Sequence, residues 1–195
     1  DRLRSITEEK VTNISAPLTR SYSESSVMGN LAADAMPDMY PNHEFAILNS
    51  GSLREEIDAG AVTVGQIISA FPFPNTIVRL EIKGSGLREI FEHAAGLTNG
   101  ILQVSDGVEI VYDESKPVGS RLVKFNVKGQ PLDDNRSYRV LASNFIADGG
   151  DGFFGFKRAT SYDNTGVVIS QAMIKYLKKF TKYDPKPSLR IRKAE

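Results

Sequence analysis

The chain has 195 residues, with 24 Lys and Arg balanced by 24 Asp and Glu, so its zero net charge excludes a global field that favours nucleic acid or an anionic membrane. Its apolar content of 41% is typical of globular proteins, and the absence of Cys excludes thiol chemistry, disulfides and Cys-ligated zinc. No apolar run reaches membrane-spanning length and no signal peptide is visible, while the abrupt start DRLRS fits either a mature end or a cut from a longer protein.

The first elements predicted are an extended lead-in and a helix. Residues 1–19 include KVTNISAPLT, whose strand-like alternation ends at a proline, so they predict an extended segment. In SESSVMGNLAADAMPDMY, apolar residues recur at helical spacing. Ser23 or Ser25 is the predicted N-cap of this helix, and Pro37 is predicted to end it.

The middle of the chain predicts two more helices between strands. Thr63 opens the short helix AVTVGQIISAF, which follows a turn-prone SGS. Ser85 is the predicted cap of the amphipathic helix SGLREIFEHAAG, and Gly96 is its predicted stop. The strands predicted in this region are EFAILN (44–49), a short buried run, and NTIVRLEIKG (75–84), which alternates apolar and polar residues.

The second half is rich in strands and includes one more helix. VVISQAMIKYLKKF predicts that helix, with Val168, Met173, Ile174 and Leu177 facing inward. Strands and helices mix without a strict βαβ order, so we expect one α+β domain, a mixed sheet with packed helices. Its core would span 20–180, with a terminal strand in 181–195. The remaining strand predictions are VEIVYD, RLVKFNV, SYRVLAS and SLRIRK, with KGQPLDDN as a turn.

Metal-dependent or nucleophilic catalysis has little support in these residues. The two histidines, His43 and His93, belong to no HxH, HExxH or DxH pattern, whereas a catalytic metal site needs several ligands that converge. Neither GxSxG nor GxxxxGK[ST] occurs. From its residues alone the chain does not look like a self-sufficient enzyme, and both histidines are expected at the surface or partly buried.

Two loops next to predicted strands carry residues suited to a planar, anionic ligand. In ILNSGSLR, Asn49 can pair with the edge of a base or sugar, and Arg54 offers a forked donor for an anion. The alternative is a turn closed by an Asx hydrogen bond, with Arg54 as a surface ion-pair partner. In AFPFPNT, two prolines stiffen the backbone around Phe73, which favours binding of a planar ring. The alternative places Phe73 in the core beside Phe71.

A third loop, NFIADGGDGFFGF at residues 144–156, combines four glycines with four phenylalanines. Phe145 stands where SYRVLAS leaves the sheet, and the GGDG turn is expected to bring Asp151 back toward it. This pair suits a nucleoside, because a ring can stack on the base for roughly 1–3 kcal/mol while the carboxylate accepts from ribose hydroxyls. The other phenylalanines are expected to fill the core: Phe153, Phe154 and Phe156.

At these loops the sequence resembles the C-terminal domain of the 5'-nucleotidase family, which includes bacterial periplasmic enzymes and the animal ecto-5'-nucleotidase. The resemblance covers roughly residues 20–180. It implies that a separate N-terminal metallophosphatase domain holds two divalent metal ions, such as Zn or Mn, and the catalytic His–Asp pair. The C-terminal domain would bind the nucleoside and swing it to the metals. The matching segments, in family order, are MGNLAADAM, NSGSLR, FPFPNT with VRLEIKGSGLREIFEHA, LQVSDGVEIVYD and NFIADGGDGF.

The resemblance implies a role for each matching residue, none of them catalytic. Phe73 and Phe145 match the two aromatic residues that sandwich the base. Asn49 matches the asparagine that hydrogen-bonds the base, and Asp151 matches the carboxylate that holds the ribose. Arg54 matches an arginine that faces the phosphate.

Other positions depart from the family pattern. Arg20 is the nearest candidate for a further family arginine, although its spacing to the MGN helix is about two residues longer than the pattern. Ser50 and Ser52 stand where glycines are common, and Ser52 is counted with the substrate-binding residues. Pro74 stands at a frequent glycine position, and Asp148 would add negative charge near the phosphate path.

The function implied is the nucleotide-binding domain of a secreted 5'-nucleotidase, at a periplasmic or extracellular location. Its expected partners are the nucleotide and the N-terminal metallophosphatase domain, with no nucleic acid and no membrane span. Parent enzymes acting on 2',3'-cyclic nucleotides, nucleotide sugars or sulfur compounds are alternatives, and the aromatic pair disfavours the last because such a substrate has no base to stack. A stand-alone nucleoside-binding module or a structural adhesion domain is a further alternative.

Overall fold

A computed structural model describes residues 2–98 and 100–195, and within them the chain forms three mixed sheets and six α-helices. The predicted α+β class is confirmed, but the strands divide among three sheets instead of forming one. The helices are α1 (Arg2–Thr7), α2 (Val27–Met39), α3 (Val64–Ala70), α4 (Gly84–Gly96), α5 (Asn144–Ala147) and α6 (Ile169–Leu177). The strands are β1 (Lys10–Ile14), β2 (Phe45–Asn49), β3 (Gly60–Thr63), β4 (Thr76–Lys83), β5 (Leu102–Val104), β6 (Val108–Tyr112), β7 (Leu122–Val127), β8 (Gln130–Pro131), β9 (Ser137–Ser143), β10 (Ser161–Val168), β11 (Lys182–Tyr183) and β12 (Ile191–Lys193).

The central sheet has five strands in the order β10–β4–β9–β2–β5. β2 and β9 are parallel neighbours, and β4 runs antiparallel to β9. All five residues of β2 are buried, with Phe45 and Ile47 in one hydrophobic cluster and Ala46 and Leu48 in another. Both faces of this strand are therefore covered, which is why its sequence is a continuous apolar run.

Helices cover the two faces of the central sheet. α4 packs on one face through Leu87, Ile90 and Phe91, which lie in the same cluster as Phe45. α2 and α6 supply residues such as Leu31 to the cluster on the other face. Each such side chain contributes roughly 1.5–3 kcal/mol when it is fully buried. Because both faces of the central sheet are covered, a ligand can approach it at the ends of its strands.

The two smaller sheets extend these two clusters. The sheet β12–β6–β7–β8 adds Ile110 and Phe125 to the cluster under α4. The sheet β11–β1–β3 adds Val11 and Val62 to the cluster under α2 and α6. Strands β6, β7 and β12 were predicted from the sequence. β3 instead includes the first residues of the predicted helix AVTVGQIISAF, β8 lies in the predicted turn KGQPLDDN, and β11 was not predicted. The grouping into separate sheets also differs from what we expected.

The lead-in at residues 1–19 is not wholly extended, which corrects the prediction. Residues 2–7 form α1, and Arg4 pairs with Glu8 at 2.9 Å in an i,i+4 arrangement that supports an exposed helix. Only the second part of the segment forms a strand, β1. The helix was missed because its apolar residues are exposed, so its sequence shows no buried stripe.

The caps of α2 also differ from the prediction. Ser26, and neither Ser23 nor Ser25, is its N-cap, with Oγ accepting from the backbone N of Gly29 at 3.0 Å. The hydroxyl of Ser25 instead accepts from the backbone N of Ile191 at 2.7 Å, in β12. Pro37 lies inside the last turn of α2, which ends two residues later at Met39.

The starts of the other helices give mixed outcomes. Thr63 caps α3 as predicted, and the Gln66 side chain completes a capping box. Ser85 does not cap α4 but lies inside it, because the helix already begins at Gly84 and has Lys83 as its N-cap. At Gly84 a Cβ would lie 2.1 Å from the Asp133 carbonyl oxygen, so this close approach requires glycine.

The helix ends give one confirmation and one correction. α4 ends at Gly96, as predicted. α6 begins only at Ile169, so Val168 ends strand β10 and does not face the core from a helix. Within α6, Met173 and Leu177 are buried and Ile174 is partly buried against the same cluster.

Candidate functional site

The three loops identified from the sequence meet at one edge of the central sheet. Asn49 ends β2 and Phe145 follows β9 by two positions, and these parallel neighbours place their carboxyl ends side by side. The antiparallel strand β4 begins at the same edge, where the backbone N of Thr76 donates to Asn144 Oδ1 at 2.9 Å. The sheet topology therefore assembles residues that lie far apart in sequence.

A cavity of about 530 Å³ opens between these loops. It contains six of the seven site residues predicted from the sequence: Asn49, Ser52, Arg54, Phe73, Phe145 and Asp151. Arg20, the seventh, does not line it. The lining is completed by Tyr22, Gly51, Asn75 and Thr98.

Two half-exposed phenylalanine rings border the cavity. Phe73 is 42% exposed and Phe145 is 39% exposed, whereas Phe71 is buried at 1% and anchors the loop that carries Phe73. The ring contacts within residues 2–98 and 100–195 include no Phe73–Phe145 pair, so the two rings do not stack on each other. Large apolar rings on this cavity are therefore available to a planar ligand.

Asn49 presents a fixed amide to the cavity. Its side-chain oxygen accepts from Ser52 Oγ at 2.7 Å and from Ser143 Oγ at 3.4 Å, and Asn49 is only 8% exposed. Its Nδ2 has no hydrogen-bond partner in the described part of the chain, so it remains a free donor. Ser52 is 1% exposed, and its hydroxyl orients Asn49.

Arg54 carries an uncommitted positive charge at the cavity. Its backbone N donates to the Ala70 carbonyl at 2.9 Å, which fixes the start of the side chain. Its guanidinium lies 6.0 Å from the centre of the Phe73 ring, and no carboxylate of the described residues pairs with it. The alternative of a surface ion pair is therefore not what the structure shows.

Arg20 stands behind the cavity wall. Its Nη1 donates to Tyr22 Oη at 2.7 Å and to the carbonyl oxygen of Leu53 at 3.2 Å, next to Arg54 in the chain. Both side-chain partners are neutral, while the backbone N of Arg20 donates to the Glu56 carboxylate at 3.0 Å. In this position Arg20 supports Tyr22, which does line the cavity.

The GGDG turn brings Asp151 to the cavity that Phe145 also lines. Asp151 has the left-handed φ of 55°, between Gly149 at 95° and Gly152 at 80°. A Cβ on Gly150 would lie 2.5 Å from the Phe145 carbonyl oxygen and 2.7 Å from its ring, so the turn packs directly on Phe145. The Asp151 carboxylate is exposed and has no ion pair within residues 2–98 and 100–195.

Two expectations for this loop need correction. Phe153 and Phe156 are buried as predicted, but Phe154 is 60% exposed and does not fill the core. Asp148 does not line the cavity, because its carboxylate accepts from Tyr162 Oη at 2.6 Å on the neighbouring strand β10. Burial, followed by this carboxylate, raises the pKa of Tyr162 to about 12.

Tyr22 is the main cavity residue that the sequence prediction missed. It is 40% exposed, and its carbonyl accepts from the backbone N of Ile101 at 2.7 Å, which holds it beside the cavity. Asn75 and Thr98 were missed as well. The only sequence signal was an aromatic residue in the polar stretch SYSES, and nothing local connects that stretch to the three loops.

The histidines occupy separate places and neither lies in a metal site. His43 Nδ1 lies 3.2 Å from the Tyr40 carbonyl, and burial lowers the pKa of His43. His93 Nε2 lies 2.8 Å from the Asp151 carbonyl oxygen. In the described part of the chain, no group of three or more His, Asp or Glu could hold a metal ion. Helices long and apolar enough to cross a bilayer are also lacking among these residues.

The fold and this strand-end cavity define an α+β domain whose loops converge at one edge of a mixed sheet. Residues 6–158 match the family described as 5'-nucleotidase, C-terminal domain. The chain belongs to this family, and the resemblance drawn from its five ordered segments is confirmed.

Individual relatives agree with this assignment. An apyrase of Aedes aegypti is 38% identical over 173 residues, covering 80% of this chain and 30% of the relative. A snake venom 5'-nucleotidase of Macrovipera lebetinus is 35% identical over 183 residues, covering 81% of this chain and 45% of the relative. The solved 5'-nucleotidase precursor from Thermus thermophilus has a TM-score of 0.93 at 31% identity, covering 98% of this chain and 41% of its own. The chain thus spans less than half the length of each of these three proteins.

Proposed function

We propose that this chain is the nucleoside-binding domain of an exported 5'-nucleotidase-type phosphohydrolase. It would position a nucleotide for metal-dependent phosphomonoester hydrolysis by a domain outside the chain. The observation that carries the proposal is the pair of half-exposed rings, Phe73 and Phe145, on one cavity with free polar groups of three kinds.

The rings and the Asn49 amide suit a nucleobase. A base that stacks on aromatic rings gains roughly 1–3 kcal/mol per base, and any of the bases offers a face for this contact. Phe73 is flanked by prolines and Phe145 is packed against Gly150, so both rings are held in place before binding. The free Nδ2 of Asn49 then donates to an acceptor on the base edge.

The charged groups suit the rest of a nucleotide. The Asp151 carboxylate can accept from the ribose hydroxyls, and the unpaired Arg54 guanidinium can donate to a phosphate with its fork of N–H groups. Arg20 adds positive charge behind Leu53. Holding a substrate in the correct position can lower a reaction barrier by about 7–11 kcal/mol, so a binding domain contributes to rate without catalytic residues.

The metals of this proposal lie outside the chain. The described residues offer no cluster that fits a metal ion, so two divalent ions, such as Zn or Mn, would belong to an N-terminal metallophosphatase domain. That domain would be the partner of this chain within one parent protein, and the isolated chain would be inactive. A periplasmic or extracellular location is part of the proposal, supported by the venom relative.

The proposal is tested by calorimetric titration of the 195-residue chain with adenosine, AMP, UMP and inorganic phosphate. We expect nucleosides to bind weakly, and Phe145→Ala to lower their affinity about fivefold to a hundredfold because one stacking face is lost. Phe154→Ala is the matched control, since Phe154 is exposed on the same loop but does not line the cavity.

Two results would contradict the proposal. One is the absence of nucleoside binding at millimolar concentration, and the other is an equal loss in Phe145→Ala and Phe154→Ala. A 2',3'-cyclic nucleotide and a nucleotide sugar belong in the same titration series. Tighter binding of either than of AMP would identify that alternative substrate class instead.

A further inference from the structure

His93 contacts the Asp151 turn from helix α4. Its Nε2 lies 2.8 Å from the Asp151 carbonyl oxygen, so the ring donates to the backbone of Asp151, a residue that lines the cavity. The ring also meets Phe153 edge to face, with 4.8 Å between the ring centres. Because Phe153 is buried, this contact fixes the imidazole from the core side.

The Asp151 turn needs such support. A non-glycine residue in the left-handed region is strained, although Asp tolerates this conformation better than most. Asp151 adopts a φ of 55° there, and a Cβ on the following Gly152 would lie 3.1 Å from His93 Nε2. The imidazole therefore packs closely against the turn at both Asp151 and Gly152.

We propose that His93 is a positioning residue that holds the Asp151 carboxylate ready for the cis-diol of a ribose. This inference rests on the proposed function, because it assigns the ribose end of the same cavity. The neutral ring carries its proton on Nε2 and donates it to the Asp151 carbonyl oxygen. Without this bond the turn samples other conformations, and a ligand must then order it at a cost in affinity.

The proposed contact between Asp151 and the ribose diol allows the role of His93 to be measured. A residue that positions Asp151 affects ligands that carry ribose hydroxyls more strongly than 2',3'-dideoxyadenosine, which lacks them. A residue that only stabilises the fold changes the affinity for both ligands by the same factor. The ratio of the affinities for adenosine and 2',3'-dideoxyadenosine therefore separates the two roles.

The experiment compares His93→Phe, which keeps a ring but loses the donor, with His93→Gln, which keeps an N–H donor near the Nε2 position. We expect His93→Phe to lower the affinity for adenosine about twofold to tenfold, which corresponds to one lost hydrogen bond. The affinity for 2',3'-dideoxyadenosine should fall by a smaller factor, and His93→Gln should retain most of the adenosine affinity. His43→Phe is the control, because His43 makes a similar contact with the Tyr40 carbonyl outside the cavity.

An unchanged affinity ratio in His93→Phe, or an equal effect of His43→Phe, would overturn the proposal. A second measurement needs no ligand and no variant: the ¹⁵N spectrum of the wild-type imidazoles at neutral pH. We expect the His93 ring to carry its proton on Nε2, and a ring protonated only on Nδ1 would overturn the proposal. If wild-type protein binds no adenosine, the proposed function fails and the ribose role of His93 fails with it, while the ¹⁵N spectrum still tests the hydrogen bond from His93 to the Asp151 carbonyl oxygen.

Discussion

At the scale of single residues, the cavity contains groups that the fold has fixed in place but left without partners. The Asn49 oxygen is occupied by two hydroxyls while its amide nitrogen is free. The Arg54 backbone is bonded to Ala70 while its guanidinium has no carboxylate partner in the described part of the chain. Asp151 is held through its carbonyl while its carboxylate is unpaired there. Such preorganised groups lose little entropy when a ligand binds.

Replacement of Arg54 should separate phosphate binding from nucleoside binding. Arg54→Met removes the charge and keeps a flexible stem, so we expect the affinity for AMP to fall to that for adenosine. The affinity for adenosine itself should change by no more than about twofold. A charge-assisted hydrogen bond contributes about 1.5–3 kcal/mol, which sets the size of the loss. Calorimetric titration with both ligands measures it.

The control for this prediction is Arg79→Met. Arg79 pairs with Asp163 on the surface of β4 and β10, and it does not line the cavity. All affinities should stay unchanged in this variant. A wild-type protein that binds AMP no better than adenosine would refute the phosphate role of Arg54.

The site residues that the sequence could predict are those beside strand ends. Asn49 and Phe145 each follow an apolar run, so a strand prediction alone places them at a sheet edge. Tyr22 was not predictable in this way, because a hydrogen bond to Ile101, distant in sequence, places it at the cavity. The role proposed for His93 was also not predictable from the sequence, because a contact with a backbone carbonyl leaves no sequence pattern.

At the scale of elements, helix caps show where local sequence is sufficient and where it is not. Thr63 and Gln66 form a complete capping box, and this local signal predicted the start of α3. Four serines lie in the six residues before α2, and the pattern pointed to Ser23 or Ser25, whereas the cap is Ser26. The choice depends on strand β12, which uses the hydroxyl of Ser25.

Removal of the α2 cap should destabilise the fold. Ser26→Ala loses the bond to the backbone N of Gly29, so we expect the free energy of unfolding to fall by about 0.5–2 kcal/mol in urea denaturation. Ser23→Ala should leave stability unchanged, because Ser23 is exposed and its hydroxyl caps nothing. Equal losses in the two variants would show that Ser26 is not the cap.

The packing of the GGDG turn on Phe145 should be sensitive to one methyl group. Gly150→Ala places a Cβ 2.5 Å from the Phe145 carbonyl oxygen, so we expect a loss of about 1–3 kcal/mol in stability and weaker adenosine binding. Gly51→Ala is the control for stability, since its Cβ would meet only Asn49 Nδ2 at 3.6 Å. Thermal unfolding and adenosine titration measure both effects. A Gly150→Ala protein with wild-type affinity would contradict the coupling between the turn and the ring.

At the scale of the whole molecule, the sequence predicted most of the long strands, but it missed β10 and did not predict the division into three sheets. Apolar alternation reports that a strand has a buried face, and it does not report which strand lies next to it. β11 pairs with β1 across most of the chain, since Lys182 lies opposite Asn13, and β12 pairs with the distant β6, since Ile191 lies opposite Ile110. These long-range pairings place separate small sheets over the two faces of the central one.

The buried phenol of Tyr112 should make stability depend on alkaline pH. Burial, with the Glu114 and Glu24 carboxylates, raises the pKa of Tyr112 to about 12. Because an unfolded tyrosine ionises near about pH 10, the unfolded chain releases its proton first, and stability falls as pH rises from about 10 toward 12. Tyr112 also donates to the Ser23 carbonyl, so Tyr112→Phe should be less stable at neutral pH.

Urea unfolding of both proteins across this range tests the prediction. The wild-type protein should keep its stability up to about pH 10 and then lose it more steeply than Tyr112→Phe. The difference in stability between the two proteins should therefore narrow with rising pH. Parallel curves would show that Tyr112 does not contribute to the alkaline loss.

The central claim is that one base lies between Phe73 and Phe145, and intermolecular NOEs test it most directly. We would record NOEs from the base protons of adenosine to the phenylalanine rings of the 195-residue chain. We expect contacts to both Phe73 and Phe145, retained in Phe154→Ala and lost in Phe145→Ala. Adenosine that binds with NOEs to neither ring, or to Phe154 alone, would contradict the claim.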